Sequence, residues 1–191
     1  MVSANTLIKK LLSVNNCVID GFDFDTDIDG VTILRVYLHP LKKHSNCCPV
    51  CGKRCHVYDK SRVYRKWRAL DLAGTIAELY SFTKRVCCKE HGIKTVSVPW
   101  SYPGSRFTKD FDMTATFLAM NINKKLAAEY LRCDWHTIMR CISRVREVVK
   151  QKLSLSLSFG KLLTAEFKFP KSLPIKLGDM RSISSIPLRL N

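Results

Sequence analysis

Cys48-Pro49-Val50-Cys51-Gly52 and Cys88-Lys89-Glu90-His91-Gly92 are the two stretches that decide how this chain folds. Each holds two metal-ligating side chains, two residues apart, with glycine next. The spacing suits a tight turn whose backbone amides face the sulfurs, and glycine follows where a positive φ is easily reached. Three thiols and one imidazole make the closed tetrahedral set that zinc takes at structural sites. No position stays open for water, so the spacing predicts structural zinc on Cys48, Cys51, Cys88 and His91. The metal would stand in for the core that a unit of roughly 50 residues lacks. Cys47 or Cys87 could replace its neighbour, and Cys55-His56 is a spare pair. Buried free thiols are the competing reading.

Outward from the knuckles the pattern is that of strands. Residues 17–24 and 31–38 predict a hairpin, 64–70 and 75–86 two further strands, and 93–100 an extended segment. Leu7, Ile8, Leu11 and Leu12 predict a short amphipathic helix over 4–13. The acidic run from Asp20 to Asp29 resembles a calcium loop only superficially. Counted from Asp25, the twelfth position is Val36 and the bidentate Glu is missing, so the run reads as a turn. Pro99, Pro103 and Gly104 punctuate a linker.

Beyond the linker the period becomes helical. Phe111, Ala115, Leu118 and Ile122 predict one helix, and Leu126, Ala127, Tyr130 and Leu131 a shorter one. Asp134 can N-cap a third, with the stripe Ile138, Ile142, Val145 and Val149. A turn of about three residues joins the last two, as in a helix-turn-helix, and the small Ala127 and Ala128 allow a close crossing. Trp135, His136, Thr137, Arg140 and Arg144 are placed to meet base edges, and arginine can bond guanine in a bidentate manner. Lys124, Lys125 and Arg132 sit where phosphates would pass. The competing reading is an ordinary trihelical core with a solvated polar face. The stripe has heptad-like spacing, which suggests a homodimer seam.

The expected fold class is α+β. Residues 1–46 form an N-terminal helix and hairpin, 47–100 a small antiparallel zinc-ribbon-like sheet domain, 108–152 an all-α helix-turn-helix domain, and 153–191 an irregular tail. The formal charge is +16, from 32 Lys+Arg against 16 Asp+Glu, which makes a polyanion the first partner to consider. The basic excess begins where the cysteines cluster. No apolar run approaches the ~18 residues of a membrane span. Lys9 and Lys10 interrupt the first apolar stretch and no cleavage site follows, so a cytosolic protein is expected. There is no G-x-S-x-G, P-loop or H-E-x-x-H. The cysteines lie in knuckles where a metal would quench their nucleophilicity.

Taken in order, Cys48-Pro-Val-Cys51-Gly, Arg85-Val-Cys-Cys88-Lys-Glu-His91-Gly-Ile, Val96-Ser-Val-Pro-Trp100, Pro103-Gly-Ser-Arg-Phe107-Thr, Leu126-Ala-Ala-Glu and Asp134-Trp135-His-Thr resemble the N-terminal half of transposases of the ISL-three insertion-sequence family. The resemblance covers roughly residues 30–150. It implies a zinc-binding domain with ligands at Cys48, Cys51, Cys88 and His91, and a helix-turn-helix that binds double-stranded DNA at terminal inverted repeats. It implies a bacterial, nucleoid-associated protein of the cytoplasm. It also implies a following RNase-H-like domain with a DDE carboxylate triad. Here the chain instead continues Leu153-Ser-Leu-Ser-Leu-Ser, and only Glu166 and Asp179 are acidic beyond Glu147. Two-metal chemistry needs several carboxylates on a rigid scaffold. The expectation is therefore a truncated, non-catalytic chain that keeps DNA binding. The alternatives are a zinc-dependent transcriptional regulator and an inert remnant.

Overall fold

The computed structural model describes residues 3–43 and 45–158, with side chains to Gln151. The tail read as irregular, with Glu166 and Asp179, lies outside the described residues.

Helix α1 (Ala4–Leu11) starts at Ser3, whose hydroxyl accepts from the Thr6 amide, and lays Ile8 against the sheet. Strands β1 (Cys17–Thr26) and β2 (Thr32–Pro40) form the expected antiparallel hairpin. Three of the five aspartates in the acidic run are held across the ladder. Asp25 pairs with Arg35 and Asp20 with His39, and Asp23 accepts from the Tyr37 hydroxyl. The run thus serves the hairpin.

Strands β3 (His56–Arg68) and β4 (Ile76–Cys88) form a second, longer hairpin. Its tight turn carries Ala73 and Gly74, both with positive φ, as a type I′ turn requires. Strand β5 (Gly92–Thr95) adds to the far end of β4. The sheet order is β1-β2-β4-β3, with β5 on β4. The sheet was expected to be antiparallel. It is mixed, because β2 runs parallel to β4 over residues 33–37 and 76–80. One sheet thus takes strands from both 1–46 and 47–100. Its core joins Cys17, Ile19, Val36, Leu38 and Leu79 to Trp67, which meets Trp100 edge to face at 5.6 Å.

Three helices follow: α2 (Lys109–Asn121), α3 (Lys124–Tyr130) and α4 (Trp135–Ser158). Thr108 caps α2 and Asn123 caps α3 through side-chain oxygens, which satisfies donors that the first turn leaves open. Phe111, Ala115, Ala128, Leu131, Ile138 and Cys141 form a second core. Ile138 and Val145 of the supposed dimer stripe are buried within the chain.

The β3–β4 hairpin links the two halves. One end abuts the cysteine knuckles and the other carries the helices. Both backbone groups of Arg68 pair with the linker: its amide donates to Arg106 and its carbonyl accepts from Thr108, each at 2.9 Å.

Candidate metal centre and nucleic-acid interface

The knuckles meet at one end of the sheet. The first lies just before β3 and the second in the β4–β5 turn. Gly52 and Gly92 adopt φ of +70° and +68°, which lets each chain reverse right after its second ligand. The Gly52 amide closes the first turn on the Cys48 carbonyl at 2.9 Å. A Lys53–Glu90 ion pair ties one knuckle to the other.

The ligand atoms of Cys48, Cys51, Cys88 and His91 all lie within 4.8 Å of one another. Cys51 Sγ is 3.7 Å from Cys88 Sγ. His91 Nδ1 is 3.5 Å from Cys88 Sγ and 3.9 Å from Cys48 Sγ. A tetrahedron with bonds of about 2.3 Å to sulfur and 2.0 Å to nitrogen has edges of roughly 3.5–3.8 Å. The cluster can therefore hold a metal ion. Hydrogen bonds from His91 and from the Glu90 and His91 amides pull the Cys88 thiol down to about 6, so one ligand is largely ionised at neutral pH. Cys47 turns to the Lys43 carbonyl and Cys87 is exposed, one residue out of phase with buried Cys88. Cys55 sits beside the cluster. Burial and a hydrogen bond with Cys88 raise its thiol.

At the other end, α3 and α4 cross through a short turn in which Arg132 takes φ +48°. Asp134 caps α4: its carboxylate accepts from the Thr137 amide at 2.8 Å and the Thr137 hydroxyl at 2.7 Å. These bonds hold Asp134 below the usual carboxylate range. Trp135 is exposed and packs on His136 at 3.7 Å between ring centroids. His136, Arg140, Lys124 and Lys125 are also exposed.

The other three candidates have partners within the protein, Arg132 while still exposed. Thr137 is buried as part of the cap. Arg144 lies four residues from Arg140, but its guanidinium turns inward and grips Asp112 through Nε at 3.0 Å and Nη2 at 2.7 Å. Arg132 reaches the Gly74 carbonyl at 3.3 Å and Asp71 at 3.7 Å. Spacing ranked Thr137 and Arg144 with Arg140 as base readers and Arg132 with Lys124 and Lys125 as a phosphate contact. The difference lies in partners distant in sequence.

Residues 96–146 match the helix-turn-helix domain of transposase family ISL3. This domain belongs to the ISL3 (ISL-three) family of transposases. The chain is also similar to two copies of the transposase for insertion sequence element IS1557, from the CDC 1551 and H37Rv strains of Mycobacterium tuberculosis. Each is 31% identical over 142 residues, which is 73% of this chain and 32% of the relative. The chain thus spans about a third of the length of those transposases. No solved structure matches. Among the described residues no helix is long and apolar enough to cross a membrane.

Arg68, Asp71 and Asp112 support the ISL3 domain, and sequence reasoning missed all three. Asp112 carried one signal, as an acid inside the first turn of a helix whose neighbour Phe111 is core. Arg68 carried none, because its role depends on the linker folding back onto β3.

Proposed function

We propose that this chain binds double-stranded DNA sequence-specifically, at the terminal inverted repeats of an ISL3-type insertion element. The observation that supports this best is the exposed N-terminal face of α4, where Trp135, His136 and Arg140 stand free of the helical core. In a helix-turn-helix those positions face base edges in the major groove. Arg140 is the base reader, His136 and Trp135 flank it, and Lys124 and Lys125 neutralise phosphates. Thr137 and Arg144 hold the reading surface in shape and take no base contact, while the exposed Arg132 joins Lys124 and Lys125 at the phosphates.

Zinc is the metal proposed for the Cys48, Cys51, Cys88 and His91 cluster. A closed thiolate-imidazole set supplies folding free energy and no reactive water. The metal stabilises the knuckle end of the shared sheet, and 108–152 is the reading unit. The proposed setting is the bacterial nucleoid. The element's ends are inverted copies, so two copies of the chain engage one element, whether or not they touch. The helix-turn-helix domain itself is non-catalytic.

The test is selection of bound sites from a random duplex pool, with zinc-loaded protein near physiological salt. A discrete motif, found at paired inverted ends in the host genome, is the expected result. A motif confined to promoters would make the protein a regulator. Retention without enrichment would overturn sequence-specific binding.

A further inference from the structure

The sheet carries a second cationic site, away from α4. Strand β2 pairs with β4 only as far as Tyr37 and Tyr80, and the β4–β5 ladder begins at Arg85. Between these points neither strand pairs with β4, and among the described residues only the Val96 amide reaches its edge, donating to the Lys84 carbonyl at 2.9 Å. On the other side of β4, the β3 ladder slips between Lys60 and Tyr64, which face Lys84 and Phe82. Such a bulge pushes residues out of the ladder and re-aims their side chains. The Ser61 hydroxyl bonds to both backbone groups of Val63 and orders that bulge. The result is a groove of about 650 Å³.

Lys42, Lys60, Arg62 and Lys84 line this groove. None of the four makes an ion pair or side-chain hydrogen bond among the described residues. By contrast, Arg35, Lys66 and Arg85 on the strands and Lys53 in the first knuckle are each held by a carboxylate. The groove's one acid, Asp20, is bound to His39 at 2.8 Å. Tyr64 and Phe82, stacked at 4.0 Å, give one wall an apolar aromatic surface.

We propose that this groove binds the sugar-phosphate backbone of DNA, as a second contact on the same duplex that the helix-turn-helix reads. The ligand groups are phosphodiester anions, and the aromatic wall packs against deoxyribose. The proposal rests on the DNA-binding reading above. Four uncompensated cations around one concave surface match a linear polyanion better than a neutral or basic partner. The spacing fits as well. Lys60 lies eight residues up β3 from Arg68, at most about 27 Å at strand rise, which is within one helical turn of DNA of about 34 Å. The footprint of the chain then extends beyond the bases under α4.

The test compares wild type with a variant carrying Lys42→Gln, Lys60→Gln, Arg62→Gln and Lys84→Gln, and with Arg140→Gln, on a selected duplex. The groove variant should keep the selected motif and lose hydroxyl-radical protection outside it. Its log K against log salt slope should flatten by about 0.9 for each phosphate no longer neutralised. Arg140→Gln should do the reverse, losing the motif and with it any discrete footprint while keeping the wild-type salt slope on arbitrary duplex. An unchanged salt slope and footprint in the groove variant overturns the proposal even when Arg140→Gln behaves as expected. If wild type selects no motif, sequence reading fails by itself, and the slope on arbitrary duplex still decides the groove. Wild type that binds no DNA at all overturns both. A measurement without substitutions runs in parallel: acetylation of Lys60 and Lys84 in wild type should fall at least severalfold when duplex is added, and equal labelling overturns the proposal.

Discussion

The Arg68 guanidinium donates to the backbone carbonyl of Arg132 at 2.7 Å. Arg68 ends β3, and Arg132 is the left-handed residue in the turn between α3 and α4. The same guanidinium holds Asp71 at 3.2 Å and lies over the Phe111 ring at 5.7 Å. One side chain thus joins the sheet's tight turn, the helix-turn-helix turn and the helical core. Because Arg132 Nε also approaches Asp71, the angle between sheet and reading helix is fixed by a small charged network rather than by the linker alone.

Arg68→Ala should therefore destabilise the chain by about 1.5–3 kcal/mol, the usual worth of a hydrogen bond to a charged group. Arg68→Lys should not restore it, since an ammonium cannot serve carbonyl and carboxylate as a planar fork does. Urea unfolding of the metal-loaded protein measures this. A loss below about 0.5 kcal/mol would remove the network from the account of stability.

Asp112 is fully buried and meets the guanidinium of Arg144, which is 20% exposed. Its Oδ2 also accepts from the buried Ser105 hydroxyl at 3.1 Å. Removing the acid leaves a mostly buried cation without its partner. Asp112→Ala should cost about 3–5 kcal/mol. The double variant Asp112→Leu with Arg144→Met removes both charges and should recover much of that loss. A double variant as unstable as Asp112→Ala would show that packing at this site matters more than the pair.

The knuckles and the helices could be read from sequence because their signals are local. A glycine-ended x2 pair is visible in five residues, and Phe111, Ala115 and Leu118 announce their helix by spacing alone. What could not be read depends on partners far along the chain. The parallel register of Val36 beside Leu79 leaves no mark on either strand's alternation. The first half of β3 was missed because 56–60 is mostly polar and faces solvent, and it is held by its ladder to β4 rather than by a buried face. Arg144 shares its helical face with Arg140, and only Asp112, thirty-two residues earlier, draws it inward.

The metal site makes a pH-dependent prediction. Hydrogen bonds from His91 and neighbouring amides lower the Cys88 thiol to about 6. Protons compete with the metal for the thiolates, so metal content at limiting zinc should hold at pH 8 and fall as the pH drops through about 6, and a content that stays constant down to pH 5 would contradict the assignment. Cys51→Ser should abolish tight metal uptake at neutral pH and lower the melting temperature of the whole sheet, because β2 and β4 share one core. Full metal content by atomic absorption, with unchanged melting, would count against the cluster.

Arg140 decides whether α4 reads sequence. It is exposed on the helix face that also carries His136, and no hydrogen bond or ion pair holds it among the described residues. Arg144, one turn on, is already engaged by Asp112. If Arg140 bonds a base edge, Arg140→Ala should weaken binding to the selected site by about 1–3 kcal/mol and leave nonspecific binding almost unchanged. Lys125→Ala should weaken both by the same smaller factor, since a phosphate contact carries no sequence information. Titration of each variant against matched and scrambled duplexes separates the two roles. An equal loss on both duplexes for Arg140→Ala would move that residue from base reading to the backbone, and specificity would then rest on His136 and Trp135.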